Sequence, residues 1–183
     1  MSVSKNNMNI ANLLSLSRIL ACIPLIVCFN NMNIDISYRY YSIIVILYIV
    51  LSDILDGFYA RKANVVTDLG KIIDPVADKI SFITVLVYLI NAFGQPFFIF
   101  FILLSIRDII LLIFSLYFIL YTDHVPQANS MGKLFIFVCV LMIIFHIYGL
   151  NIVFANILYI LSIILLIIST IIYIKEHLSR LRS

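Results

Sequence analysis

The sequence predicts an all-α, polytopic membrane protein with six transmembrane helices, on three observations. Apolar runs of about 18 or more residues recur along the chain, the length a helix needs to cross roughly 30 Å of hydrocarbon. Of 183 residues, 64% are hydrophobic and 11% charged, which leaves too little polar surface for a soluble domain of this size. Short breaks rich in Asn, Gly and Pro separate the runs. A helix satisfies its own backbone groups in lipid. A transmembrane β-barrel would need short alternating segments, and the chain shows none.

The spans follow in order. The first, Leu13–Phe29, begins after the polar stretch SKNNMNIAN and ends at NNMNID. No cleavable leader is recognised, so this span is expected to be retained. The second, Ser37–Ala60, closes on the loop RKANVVTD. The third, Gly70–Phe93, takes Thr67 or Asp68 as its cap and stops at FGQP. The fourth, Phe97–Tyr121, runs into TDHVPQANS, and the fifth is Met131–Gly149. After the break GLN comes the sixth, Ile152–Ile174, followed by the basic tail KEHLSRLRS, read as a membrane-surface anchor. Without internal repeats or low-complexity linkers, one domain is expected over residues 1–183.

Cationic residues set the orientation. Lys5, then Arg61, Lys62 and Lys71, then Lys133, then Lys175, Arg180 and Arg182 fall on one side of a six-span layout. The opposite loops hold Arg39. The positive-inside rule therefore predicts both termini and the RKANVVTD loop in the cytoplasm. The Ile- and Asn-rich composition points to a bacterial inner membrane. A net charge of +3 suits anionic membrane lipids and is too small and dispersed for nucleic acid. Cys22, Cys28 and Cys139 are scattered in apolar runs without a CxxC pair, which reads as packing.

Against this background the stretch SDILDGFYARKANVVTDLGKIIDPVADK stands out. Asp53 and Asp56 are three apart and share a helix face; Asp74 and Asp78 are four apart and share another, with Gly70 one turn earlier. Spans two and three meet at one membrane surface, so four carboxylates can converge below it. A single acid at a helix centre costs about 2.5–3.5 kcal/mol on insertion scales. Four together stay ionised most simply by holding a divalent cation. All-oxygen ligation suits Mg²⁺, Mn²⁺ or Ca²⁺ rather than zinc. Four carboxylates suffice for two ions, and a two-metal site clamps an in-line displacement at phosphorus. Gly57, Ala60 and Gly70 leave room for a ligand against the helices, and Arg61 supplies a planar fork for phosphate oxygens. A capping role explains one aspartate but not four at helical spacing.

These residues, Asp53-x2-Asp56-Gly57-x2-Ala60-Arg61-x8-Gly70-x3-Asp74-x3-Asp78, resemble the motif of the CDP-alcohol phosphotransferase family without departure. The resemblance implies a reaction in which CDP-diacylglycerol donates its phosphatidyl group to an alcohol and CMP leaves. It implies Asp53, Asp56, Asp74 and Asp78 as ligands of two Mg²⁺ (or Mn²⁺) ions, with Asp78 also the base for the acceptor hydroxyl. It implies Asp53, Gly57, Ala60, Arg61 and Gly70 at the CDP site, and a homodimer.

The local text is similar to the phosphatidylglycerophosphate synthase branch. DPVADK matches its DPxADK, and NIANLLSLSRI resembles its PNxLTxxR, with Asn12, Ser15 and Arg18 in register and Ala11 replacing proline. That resemblance implies glycerol 3-phosphate as acceptor, with Arg107, Lys133 and Arg18 as candidates for its phosphate. Arg107-Asp108 stands where the branch shows Arg-Glu, and SMGKL resembles its GK element. The branch continues GKxKT, however, where this chain reads GKLFIFVC. Single-subunit cardiolipin synthases, whose acceptor is phosphatidylglycerol, also carry DPxADK and an Arg-Asp pair and remain the alternative.

A small cation transporter is the rival from a different class, since acids inside membranes mark ion paths. Apart from Asp108, no acidic stepping stone leads to the other side. A structural factor with a dead site is disfavoured by the intact motif. His146 is expected to be a hydrogen-bonded core histidine, and His124 and His177 to be solvated. Pro75 removes a backbone donor early in span three and restricts Asp74.

Overall fold

The computed structural model describes the backbone of residues 10–63, 68–121, 130–149 and 151–181. It is all-helical there: α1 (Ile10–Asn31), α2 (Ser37–Ala63), α3 (Asp68–Phe93), α4 (Gln95–Tyr121), α5 (Ser130–Tyr148) and α6 (Ile152–Leu181). Each contains a stretch long and apolar enough to cross a membrane. Thr67, His124 and most of the TDHVPQANS break lie outside the described residues.

The chain divides into two compact units, Met1–Ala92 and Phe93–Ser183. In the first, α1 contributes a buried stripe at spacings of three and four, Asn12, Ser15, Arg18, Cys22, Leu25 and Phe29, which Met32 continues in the turn just beyond the helix. The stripe is polar toward the start of the helix and apolar toward its end. Ala77, Ser81, Val85 and Leu89 form a matching buried row on α3. The two rows meet at Cys22 and Ser81, 3.5 Å apart, and where Phe29 stacks on Tyr88 at 4.0 Å between ring centroids. The Tyr88 hydroxyl donates to Met32 Sδ at 3.0 Å. Opposite the stripe, Leu20, Ile23, Ile26 and Val27 are exposed, as suits a helix surface solvated by lipid.

A tight link joins α1 to α2. The Ile34 amide donates to the Asn31 carbonyl at 2.9 Å, and the Ser37 amide donates to Asp35 Oδ1 at 2.9 Å, an Asx turn that leads into the helix. That backbone bond, with a second from the Ser37 side chain, holds the Asp35 carboxyl below its ordinary value.

In the second unit, α5 buries Phe135, Val138, Cys139, Met142, Ile143 and His146, and α6 buries Ala155, Leu158, Ser162, Leu166 and Ser169. Ser162 and Ser169 donate back to the carbonyls of Leu158 and Leu166, so their hydroxyls cost little in an apolar setting. His146 is a hydrogen-bonded core histidine: its Nδ1 lies 2.8 Å from the Met142 carbonyl. Its ring stands edge-on to Phe93 and Phe97. The Tyr159 hydroxyl donates to the Pro96 carbonyl at 2.7 Å, tying α6 to α4. Gly94 (φ 73°) and Gly149 (φ 72°) follow the last residues of α3 and α5. Both are left-handed stops that a residue with a Cβ adopts at a cost.

Candidate active site

The site lies in the first unit, built by three helices. Ser15 and Arg18 are one turn apart near the start of α1. Asp53 and Asp56 lie in the latter half of α2, and Asp74 and Asp78 in the first turns of α3. Chain order puts these segments at one end of the unit. Asp56 is seven residues before the end of α2, so it lies roughly 10 Å along the axis from that end.

Arg18 organises the cluster. Its side chain is 1% exposed, and every nitrogen is engaged. Nη1 donates to Asp78 Oδ1 and lies 3.3 Å from Asp53 Oδ1. Nη2 donates to Asp56 Oδ2, and Nε donates to the Ser52 hydroxyl at 3.3 Å. Ser52 in turn donates to the Ile49 carbonyl at 2.8 Å. The fourth acid is reached by Ser15, whose Oγ lies 2.5 Å from Asp74 Oδ1 and 3.2 Å from Asp56 Oδ2. Two side chains of α1 thus touch all four aspartates.

The environments differ. The Asp56 side chain is 7% exposed, while those of Asp53 and Asp78 are 57% and 52% exposed. The cluster therefore has a closed back, formed by Asp56, Arg18 and Ser15, and an open front carrying Asp53 and Asp78.

The donor set fits a hard divalent cation. It is all oxygen, drawn from four carboxylates and two hydroxyls. A cationic group, the guanidinium, already stands where the acids converge. Four carboxylates around one guanidinium carry more negative charge than it neutralises, and further cations would offset the excess at the buried back of the cluster. As placed, with Arg18 between them, no group of three or more acid, His or Cys side chains among the described residues closes on a single ion position.

Gly70 is buried on α3, one turn before Asp74. Gly57, Ala60 and Arg61 continue α2 beyond Asp56, and their side chains lie outside the described residues. Arg107 and Lys133 belong to the second unit. Arg107 Nη1 lies 3.5 Å from Asp108 Oδ1, and its guanidinium carbon is 5.2 Å from the Phe135 ring centroid. Its Nε is buried without a hydrogen-bond partner among the described residues. Lys133 is exposed in the first turn of α5. Arg18, expected with these two at an acceptor phosphate, contacts Asp53, Asp56 and Asp78. Sequence reasoning gave no role in the site to Ser52, or to Ser15, which it named for its register with Asn12 and Arg18. Ser15 carried a signal, since Asn12, Ser15 and Arg18 recur every three residues on one face.

Comparison with known proteins places these features in a family. Residues 8–174 match the family model described as CDP-alcohol phosphatidyltransferase. The chain is 37% identical over 173 residues to the CDP-diacylglycerol–glycerol-3-phosphate 3-phosphatidyltransferase of Aquifex aeolicus, covering 91% of this chain and 94% of that protein. The protein of the same name from Bacillus subtilis is 37% identical over 92 residues, 49% of this chain and 46% of its own length. That from Mycoplasma pneumoniae is 47% identical over 62 residues, 34% and 27% of the two chains.

Proposed function

Because the chain belongs to the CDP-alcohol phosphatidyltransferase family, we propose that it transfers the phosphatidyl group of CDP-diacylglycerol to glycerol 3-phosphate and releases CMP. The observation that carries this reading is the convergence of Asp53, Asp56, Asp74 and Asp78 on Ser15 and Arg18 of α1. The acceptor is taken from the names of the relatives, of which the Aquifex protein aligns along nearly its whole length.

The four aspartates are the ligands of two divalent ions, Mg²⁺ or Mn²⁺, in keeping with the use of a divalent metal in this family. When bound, such ions supply charge neutralisation at the pyrophosphate and at the attacking and leaving oxygens. The chain's own groups do the rest. Gly57, Ala60 and Gly70 leave space for the cytidine diphosphate against α2 and α3, with Asp53 beside it and Arg61 on its phosphates. Asp78, half exposed on the open front, takes the proton from the acceptor hydroxyl as its oxygen bonds to the lipid-bearing phosphorus. The bond from that phosphorus to the CMP oxygen breaks, and CMP leaves with the electron pair. Arg107, Lys133 and Arg18 are assigned to the acceptor's phosphate.

The one domain covers residues 1–183, lies in a bacterial inner membrane with both termini and the site facing the cytoplasm, and works as a homodimer. The test is Mg²⁺-dependent CMP release from CDP-diacylglycerol by the detergent-purified protein. Release with glycerol 3-phosphate, abolished by chelation and in Asp78→Asn, is expected. Release with phosphatidylglycerol alone would instead make the protein a cardiolipin synthase. No release with any alcohol overturns the reading.

A further inference from the structure

Arg18 poses a problem of charge. It is 1% exposed and its guanidinium lies on three of the four acids assigned to divalent ions. A cation already bound at the carboxylates repels another arriving at the same oxygens. Opposite charges this close attract strongly even at the effective dielectric near a protein surface, so the guanidinium is a competitor of consequence. Its attachment is also built rather than incidental. Nε is fixed by Ser52, which is itself fixed by Ile49. Ser15, one turn away on the same helix, supplies a hydroxyl to Asp74, the fourth acid of the cluster.

We propose that Arg18 is a tethered counter-cation, a positioning residue that holds the carboxylates together in the metal-free enzyme and is displaced from them when divalent ions bind. Without it, the acids of α2 and α3 would repel each other across the interface before any ion arrived. With it, the two helices are held in register, and the exchange of one bound cation for others leaves the packing intact. Once displaced, the guanidinium needs an anionic partner. Its planar fork matches phosphate oxygens, which reconciles its position among the acids with its assignment to a phosphate. This inference rests on the aspartates being metal ligands, as proposed above.

The test measures metal binding without turnover. Thermal unfolding of the detergent-purified protein is followed while Mn²⁺, and separately Mg²⁺, is titrated in the absence of substrate. In Arg18→Gln the metal-free protein melts lower than wild type. The Mn²⁺ concentration giving half-maximal stabilisation falls by about tenfold or more, as removal of a competing charge requires. Arg18→Lys, which keeps the charge but not the fork, lies between the two. If Arg18→Gln folds only in Mn²⁺, the proposal is upheld. If it needs as much Mn²⁺ as wild type, or more, or if neither variant is recovered by metal, Arg18 is not a competitor and the proposal fails. A wild-type protein that gains no stability from either ion overturns the metal reading beneath it, whereas a stabilised wild type with an unaltered variant overturns this inference alone.

Discussion

The Ser15 hydroxyl lies 2.5 Å from Asp74 Oδ1, bridging α1 to α3. The same oxygen lies 3.2 Å from Asp56 Oδ2 on α2. A hydroxyl carries one proton, so Ser15 donates to one acid at a time, and the shorter distance favours Asp74. Replacing Ser15 with Ala leaves that carboxylate short of a donor. A hydrogen bond inside a membrane protein contributes on the order of 1 kcal/mol, and Ser15→Ala should lose about that much, read as a lower unfolding midpoint in chelator. Mn²⁺ should recover most of the loss, because an ion at Asp74 replaces the missing donor.

The two acids of α2 should behave differently despite their shared face. Asp56 is buried against Arg18, and truncating one partner of a buried pair costs about 3 kcal/mol; Asp56→Ala should show a loss of that order in metal-free protein. Asp53 is 57% exposed, and an exposed pair contributes less than about 1 kcal/mol. Asp53→Ala should therefore leave metal-free stability nearly unchanged while still abolishing CMP release. Equal losses in equilibrium unfolding would show that burial does not separate their roles.

Asn151 caps α6. Its Oδ1 accepts from the Val153 and Phe154 amides at 3.0 and 3.2 Å, satisfying two donors that the first turn of a helix cannot pair internally. Asn151→Ala should cost about 1 kcal/mol. Hydrogen exchange should quicken at Val153 and Phe154 and not in α1. Asn151→Asp should preserve the cap.

Gly94 isolates a backbone effect. At φ 73° a Cβ built there meets nothing within 4 Å, so Gly94→Ala introduces no clash beyond its own dihedral strain. That strain is roughly 1 kcal/mol, and the unfolding midpoint should fall accordingly. A change several times larger would show that the turn does more than end α3.

Much of this fold was legible because the bilayer writes its requirement into the chain. Long apolar runs and their breaks located six helices. Residues that hydropathy does not score extended them: Arg61, Lys62 and Ala63 continue α2, and the basic tail carries α6 to Leu181 beyond the expected Ile174. The aspartates were legible from their spacing. The partner of Arg18 was not. It depends on how α1 packs, with Ser52 34 residues away and Asp78 60 away, and a helical period reports the face a residue occupies, not what that face meets. Arg107 illustrates the same gap: among the described residues it pairs with its own neighbour, Asp108.

The polar stripe on α1 bears on how the protein enters the membrane. Synthesis delivers Arg18 before Asp56, which follows 38 residues later. A lone arginine raises the partitioning energy of a segment by about 2.5–3.5 kcal/mol at its centre, and by less near the start of α1, where Arg18 sits. The leading segment therefore gains from waiting at the translocon until the next one emerges, so that both enter the lipid as a helical hairpin with their opposite charges already matched.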